Sequence, residues 1–429
     1  MNKVIQPLLI LLFATASFAQ NGFWKQRGYG NYIEIQDSSF KWYNITESYC
    51  QPHWFGQTKD LFKYYPIISK SSDSLVLKGG GTTQYTYEKV DQNLVICNTP
   101  LFELDNPKVI FEVFWEVFNE NYAFFKERKI DWKTVKTKYE NLITSNTSEQ
   151  ELYTHLQEII KSFGDEHVTL KAPKYEKPDS SLKNFDFEKC YSKSLNKIER
   201  LYFEKGNLNK AGNNLISWGI INGVGYLQIN RMNGYCDDNS EIISTLNSIL
   251  DTVVKAFSNL NSVILDLRFN PGGWDLVSLE IYRRFITKKE TTFVKKAKYN
   301  DGFTLPQSIF VNPSSNPFHQ KVILLTGPQT ASASEVFIMS TLGNDRFLSI
   351  GGSTMGIFSD VLSKKLPNGW TVNLSNEIYS SANGKVFESH GIEPDINVGY
   401  SDDVIEFYKT FSTEKKDIAL AKALELLKK

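Results

Sequence analysis

The 429-residue sequence has only four cysteines and five histidines, and neither sign of charge is in excess. The cysteines, Cys50, Cys97, Cys190 and Cys236, lack the spacing of a zinc site. The 48 basic and 48 acidic residues cancel formally, so nothing indicates binding to nucleic acid or to an anionic membrane surface. We therefore expect no metal, no cofactor and no nucleic-acid partner.

Long apolar runs are also scarce. An early one, residues 7–13, is far shorter than the ~20 residues that a membrane-spanning helix needs. It follows Lys3 and precedes Ser17-Phe18-Ala19, which is typical of a secretory signal peptide over residues 1–19, cleaved after Ala19. The residue directly after the cleavage point is Gln20 rather than cysteine, so lipid attachment is not indicated. We expect an exported protein, periplasmic or secreted, without a membrane span.

An exported protein can form disulfides. Cys50 and Cys97 are the first pair to consider because both lie in the same N-terminal segment. Free buried thiols are the alternative, and the sequence leaves both open.

The ~410 residues that follow the signal peptide suggest two or three domains. Alternating patterns predict a β-rich domain over residues 20–100. Pro107 after Asn106, and a capping box of Ser148 and Glu151, predict a helical subdomain over 101–175. Residues 176–215 are expected to be a polar linker or lid. Residues 216–429 alternate predicted strands and helices, which indicates an α/β unit.

The most informative segment is Thr-Ala-Ser-Ala-Ser-Glu at 330–335, which follows an apolar run (KVILLT) and precedes a helical pattern. Small residues at a strand-to-helix junction let main-chain N–H groups converge on one point. They also hold a hydroxyl at a helix N-terminus, where a developing anion is favoured. The same string could equally be an N-cap.

Three other segments carry candidate residues. In VILDLRFNPGG (263–273), Gly272 and Gly273 can bring a main-chain N–H close to an oxyanion, although an ordinary turn after a core strand would look the same. FGDEHVTL (163–170) contains His167, and FESHGIEPD (387–395) contains Glu388.

Together these segments resemble peptidase family S41, which includes the C-terminal processing proteases and the tricorn core protease. The resemblance implies a crotonase-like (ClpP/crotonase) catalytic core over 216–429, with Ser332 as nucleophile. It also implies an oxyanion hole built from Gly272, Gly273 and the N–H of Ala333. The stretch between His167 and the strand at 224–229 is too short for a PDZ domain, so none is expected.

The family activates its serine in two ways. Processing proteases use a lysine in a T-x-G-K turn, but here that position is Ile357, which cannot accept a proton; Lys364 and Lys365 are out of register. Tricorn-like members use a histidine and a late glutamate, and His167 and Glu388 fall at those places. An imidazole, with a pKa of about 6.5, can take and return a proton near neutral pH.

His390, two residues from Glu388, is the main competitor for the role of base. The remaining histidines fit it less well: His155 lies in a helical pattern, and His53 and His319 lie outside the expected site. One departure from the tricorn-like pattern precedes His167, where Glu166 stands in place of serine or glycine.

We therefore expect an exported serine peptidase that hydrolyses peptides or unfolded proteins through a Ser-His-Glu triad. The alternative is a catalytically silent member of the family that binds peptides or apolar ligands, as some tricorn-related proteins do. A coenzyme-A hydratase is disfavoured because an exported chain would rarely meet a thioester. Nothing in the sequence indicates an oligomeric state.

Overall fold

The structure is a computed structural model that describes residues 20–98, 104–175, 185–204 and 206–428. The expected signal peptide, residues 1–19, lies outside the described residues. The chain divides into two compact units, Met1–Leu104 and Asp105–Lys429. Among the helices in the described ranges, none combines the length and apolarity that crossing a bilayer requires.

The first unit contains a seven-stranded sheet whose neighbouring strands are all antiparallel. Its strands are β1 (Gly22–Gln26), β2 (Asn31–Gln36), β3 (Ser39–Ile45), β4 (Cys50–Gln57), β5 (Ile67–Lys70), β6 (Ser74–Lys78) and β7 (Gln84–Val90). They are arranged in the order β4-β3-β2-β1-β7-β6-β5. Alternate residues face one apolar core, as Ile33 and Ile35 of β2 and Leu75 and Leu77 of β6 do. That alternation is the pattern from which the strands were predicted.

Two short helices, α1 (Thr58–Tyr64) and α2 (Val95–Asn98), also lie in the first unit. A disulfide joins Cys50 in β4 to Cys97 in α2, so the first pair considered from the sequence is the one that forms. Cys190 and Cys236, in the second unit, are free thiols.

The second unit is built on a second seven-stranded sheet. Its strands are β9 (Asn209–Ala211), β10 (Ile216–Ile221), β11 (Val224–Ile229), β12 (Ser262–Asp266), β16 (Lys321–Thr326), β17 (Phe347–Gly351) and β21 (Ile396–Asn397), in the order β21-β17-β16-β12-β11-β10-β9. The strands from β11 to β21 are parallel, and β9 and β10 extend the sheet as antiparallel strands. Since β12 and β16 are adjacent and parallel, with Asp266 opposite Leu325, the loops that follow them leave the sheet at the same edge.

Helices cover both faces of this sheet. They are α6 (Phe187–Tyr202), α7 (Ile242–Ala256), α8 (Asp275–Tyr282), α9 (Ala333–Thr341), α10 (Val404–Thr413) and α11 (Ile418–Leu427). Val263 and Leu265 of β12 point into one apolar core with α7, α8 and α9, while Ile264 points into another with α6, α10 and α11. Burial on both faces explains the uninterrupted apolar runs of the central strands. The unit therefore has a mixed α/β architecture, as the alternating patterns predicted.

Helix α6 lies inside residues 176–215, which were expected to be a linker or lid. Phe187, Tyr191, Leu195 and Ile198, spaced four, four and three residues apart, pack into the core shared with α10 and α11. The many lysines between them hid this helical stripe in the sequence. Residues 176–184 of the segment lie outside the described residues.

The helical segment before the central sheet contains α3 (Pro107–Asn121), α4 (Trp132–Glu140) and α5 (Glu149–Lys161). Asn106 caps α3 and Ser148 forms a capping box with Glu151 at α5, as the sequence predicted. The chain then enters β8 (Thr169–Lys171), which pairs with β19 (Thr371–Ser375). On its other side β19 pairs with β18 (Val361–Lys365), so this sheet has the order β18-β19-β8. This pairing brings the turn around His167 against the late part of the chain.

A further sheet is centred on β13 (Glu290–Tyr299), which pairs with β14 (Gly302–Phe303), β15 (Gln307–Val311) and β20 (Glu377–Ser381). Its inner face joins the core under α8 and α9 through Phe293 and Tyr379.

Candidate active site

Ser332 occupies the N-cap position of α9 with φ 54° and ψ −124°. An N-cap residue normally has an extended main chain, as Ser148 does at α5 with φ −67° and ψ 155°. The left-handed conformation of Ser332 is strained, by an amount on the order of 1–3 kcal/mol, and capping does not require it. Ser332 is also partly exposed between the buried Ala331 and Ala333. Its conformation and exposure are those expected of a nucleophile rather than of a cap alone.

The carboxylate of Glu335 holds this strained residue. It accepts hydrogen bonds from the N–H of Ser332 (3.1 Å), the hydroxyl of Thr354 (2.5 Å), and the N–H groups of Gly356 (2.7 Å) and Ile357 (2.9 Å). Burial raises the pKa of Glu335 to about 7, although each of these hydrogen bonds lowers it. No role was predicted for Glu335 from the sequence, although its place three residues after Ser332 is the signature of a capping box.

The glycine turn lies directly against Ser332. A Cβ atom added to Gly272 would lie 2.7 Å from the Cβ of Ser332 and 3.0 Å from the nitrogen of Ala333. The N–H of Gly272 is already used, since it donates to the side chain of Asn270 at 2.8 Å. Within the described residues, the N–H groups of Gly273 and Ala333 have no such partner. Of the three residues expected to form an oxyanion hole, Gly273 and Ala333 are therefore free to donate, and Gly272 provides the close approach.

His167 lies in the turn between α5 and β8, where its N–H donates to the carboxylate of Asp165 at 3.0 Å. Its ring atom Nδ1 is buried and has no hydrogen-bond partner in the described part of the chain. Burial lowers the pKa of His167 below 6.5, Arg128 lowers it further, and Asp165 and the main chain of Ser359 raise it. The imidazole is therefore neutral near pH 7 and able to accept a proton.

Glu388 lies in a turn that follows β20. Its carboxylate accepts hydrogen bonds from the guanidinium of Arg128 at 3.0 Å and from the N–H of Phe358 at 2.8 Å. Burial raises the pKa of Glu388 to about 8 and Asp165 raises it as well, while Phe358 and Arg128 lower it.

Arg128 was not predicted as a site residue. It follows α3 in the charged run KERK, a composition typical of a solvent-exposed turn. In the structure its side chain is only 8% exposed, and its guanidinium contacts Glu388, Asp165 and the main-chain carbonyl of Gly164. Only the fold reveals that it points inward.

Residues 354–359 connect the parts of the site. Glu335, which binds the N–H of Ser332, accepts hydrogen bonds from Thr354, Gly356 and Ile357. Phe358 binds Glu388, and the main chain of Ser359 interacts with His167. The segment thus joins Ser332 to the His167 and Glu388 region. Among the described residues, however, no hydrogen bond joins His167 directly to Ser332 or to Glu388.

The competing residues are occupied elsewhere. His390 is exposed, and its ring contacts the main-chain carbonyl of Glu388 at 3.0 Å rather than the carboxylate. Ser334 is buried and donates to the carbonyls of Asn270 and Ala331. Glu166, the departure noted beside His167, is exposed. In the described parts of the chain, no group of three or more His, Cys, Asp or Glu side chains could hold a metal ion.

Two family models match the chain. The model described as "Peptidase family S41" matches residues 223–398, which contain the glycine turn, Ser332 and Glu388. The model described as "Tricorn protease C1 domain" matches residues 105–161, which end shortly before His167.

Curated relatives match over part of the chain. A "probable CtpA-like serine protease" of Staphylococcus haemolyticus is 27% identical over 157 residues, 36% of this chain and 31% of that protein. The carboxy-terminal-processing protease of Bartonella bacilliformis is 27% identical over 139 residues, 32% of this chain and 31% of that protein. The chain thus matches less than a third of the length of these two relatives.

A solved structure is similar over a longer range. The crystal structure of a provisionally assigned peptidase from Parabacteroides merdae superimposes with a TM-score of 0.60 at 23% identity, covering 75% of this chain and 96% of that one. At this identity the similarity supports the fold.

Proposed function

Because the chain belongs to peptidase family S41, we propose that it is a serine peptidase in which Ser332 is the nucleophile, His167 the base and Glu388 the supporting carboxylate. The observation that carries the proposal is the left-handed conformation of Ser332, held by Glu335 with Gly272 against it. Strain of this kind at a strand-to-helix junction is a feature of activated serines.

In the proposed mechanism, the hydroxyl oxygen of Ser332 attacks the carbonyl carbon of a peptide bond while His167 takes its proton. The N–H groups of Gly273 and Ala333 donate to the resulting oxyanion, for which removal of one donor typically costs ~10²–10³ in rate. The imidazolium then returns its proton to the leaving amine, and water hydrolyses the acyl-enzyme with His167 again as base.

The buried Nδ1 of His167, which has no partner among the described residues, is available for this proton transfer. Catalytic hydrogen bonds are often long in the free enzyme and tighten only around the substrate. Glu388 supports the imidazolium through its negative charge in a buried, weakly screened environment.

The proposal extends to fold class and location. The parallel strands β11, β12, β16 and β17, with helices on both faces, support a crotonase-like catalytic core. The N-terminal segment 1–19 has the features of a signal peptide, and the Cys50–Cys97 disulfide supports an oxidising compartment such as the periplasm or the exterior. Peptides or unfolded proteins are the proposed substrates.

A fluorophosphonate probe tests the proposal without knowledge of the natural substrate. We expect the folded protein to be labelled at Ser332, as located by peptide mass spectrometry, and Ser332→Ala to be unlabelled. Urea-unfolded wild type is the control and should not react. Absence of labelling on folded protein would instead support the silent peptide- or ligand-binding alternative.

A further inference from the structure

One guanidinium, that of Arg128, contacts two buried carboxylates. Its Nη2 lies 3.0 Å from Oε1 of Glu388, and its Nε lies 3.6 Å from Oδ2 of Asp165. The side chains of Arg128, Glu388 and Asp165 are 8%, 1% and 0% exposed. All three charges are therefore removed from water, where their mutual interactions are weakly screened.

These three residues come from distant parts of the sequence. Arg128 follows α3, Asp165 follows α5, and Glu388 lies in the turn after β20. Two buried carboxylates repel one another unless a cation lies between them. A planar guanidinium can meet two carboxylates at once, whereas a lysine ammonium is a single point charge.

We infer that Arg128 is a positioning residue that holds Glu388 and Asp165 together, so that both carboxylates act on His167 as one charged cluster. The inference rests on the proposed function, since it concerns the charge around the proposed base. With His167 neutral and both carboxylates ionised, the four groups carry one net negative charge. When His167 takes the proton of Ser332, the net charge becomes zero. The charged cluster therefore favours the imidazolium that forms during the reaction.

Three neutral groups also donate hydrogen bonds to the carboxylates of this charged cluster. The hydroxyl of Tyr122, at the end of α3, donates to Asp165 at 3.0 Å, and the N–H of His167 donates to the other Asp165 oxygen at 3.0 Å. The carboxylate of Glu388 accepts a hydrogen bond from the N–H of Phe358 at 2.8 Å. Arg128 is thus the cation in contact with both carboxylates, and it is the group whose removal should unbalance them.

Arg128 and Asp165 act on the pKa of Glu388 in opposite directions. Burial raises the pKa of Glu388 to about 8 and Asp165 adds to that rise, whereas Arg128 lowers it. Arg128→Gln should therefore raise the pKa of Glu388, and Asp165→Asn should lower it. If Arg128 and Asp165 were needed only for folding, the two substitutions would not shift the pKa of Glu388 in opposite directions.

The experiment measures the rate at which a fluorophosphonate labels Ser332 as a function of pH. In wild type we expect the rate to rise as Glu388 ionises. For Arg128→Gln we expect the midpoint to move up by about one pH unit or more, and for Asp165→Asn we expect it to move down. The maximal rate should fall ~10-fold or more in both variants, because each leaves the other charges unbalanced.

Arg284→Gln is the matched control, since Arg284 is also a buried arginine of the second unit, paired with Asp251 and bound to Asn247. It should lower thermal stability without moving the midpoint of the pH profile.

An unmoved midpoint in folded Arg128→Gln, or shifts of the same sign in both variants, would overturn the inference. If Arg128→Gln does not fold, Asp165→Asn decides: a downward shift supports the inference, and no shift or an upward one overturns it. If the wild type does not react with the probe, both the proposed function and this inference are wrong. If the wild type reacts but the variants have the same midpoint as the wild type, only the inference is wrong.

Discussion

The main-chain nitrogen of Ile357 lies 2.9 Å from the carboxylate of Glu335, while the Ile357 side chain is buried. Ile357 stands where the resemblance to processing proteases would place a lysine. Here the turn keeps a structural role, because its N–H groups satisfy Glu335, which in turn binds the N–H of Ser332. The turn therefore supports Ser332 through its main chain, and the proposed proton acceptor comes from a different segment, the turn that carries His167.

Replacing Ser332 should separate catalysis from stability. Ser332→Ala should lower labelling and hydrolysis of unfolded casein by ~10⁴-fold or more. Ser332→Gly should be equally inactive but more stable than Ser332→Ala by about 1 kcal/mol, because glycine adopts a φ of 54° without strain. Urea unfolding of the two variants measures the difference. Equal stabilities would show that the main chain at 332 is not strained.

Gly272→Ala should abolish activity through a steric effect at the site. The added Cβ would lie 2.6 Å from the carbonyl oxygen of Ala331 and 2.7 Å from the Cβ of Ser332. Gly369→Ala is a matched control, because its φ of 84° is also left-handed but no atom lies within 4 Å of an added Cβ. Both variants should lose about 1 kcal/mol from backbone strain.

Only Gly272→Ala should lose labelling of Ser332, by ~10²-fold or more, since it displaces Ser332 and the N–H of Ala333. Similar activity losses in both glycine variants would mean that general destabilisation, not the close approach, is responsible.

Local sequence patterns predicted much of this architecture. The sequence offered the Cys50–Cys97 disulfide but left free thiols open as the alternative. By contrast, the capped starts of α3 and α5 and the apolar runs of β12 and β16 follow from short-range rules on capping and burial. These features depend on residues close together in sequence, so a single chain suffices to predict them.

Contacts made across long sequence separations, and some local details, were not predictable in the same way. Arg128 and Glu388 are 260 residues apart, and nothing local distinguishes Arg128 from an exposed arginine. The use of the Gly272 N–H by Asn270 depends on the exact path of a turn. Helix α6 was hidden because its apolar positions are separated by lysines. The sequence indicated which segments carry the proposed site residues, and the fold determines which of their atoms meet.

His167→Ala and His390→Ala test the choice of base. His167→Ala should lower the labelling rate by ~10⁴-fold, because no other imidazole takes its place in the turn before β8. His390 is exposed, and its ring contacts a main-chain carbonyl and the ring of Phe387, so His390→Ala should stay within about threefold of wild type. Circular dichroism of both variants checks that the fold is kept. A severe loss in His390→Ala with near-normal His167→Ala would reverse the assignment.

The pH dependence should report Glu388 rather than His167. An imidazole alone would give a midpoint near 6.5, but burial lowers the pKa of His167 and raises that of Glu388 to about 8. Because Glu388 acts as an anion in the proposed mechanism, the labelling rate of wild type should rise with a midpoint near pH 8. Glu388→Gln should lose this limb and lower the maximal rate by ~10²–10⁴-fold, since the amide no longer stabilises the imidazolium.

Stability should follow the same carboxyl group with the opposite sign. The folded-state pKa of Glu388 lies above its ordinary value of 4.5, so the folded state binds the proton more tightly than the unfolded chain does. Its stabilising contribution is complete below pH 4.5 and is lost as the pH rises towards 8. The melting temperature of wild type should therefore fall relative to that of Glu388→Gln between pH 5 and 8. A constant difference across this range would mean that Glu388 is already ionised at pH 5, and the wild-type activity limb near pH 8 should then be absent as well.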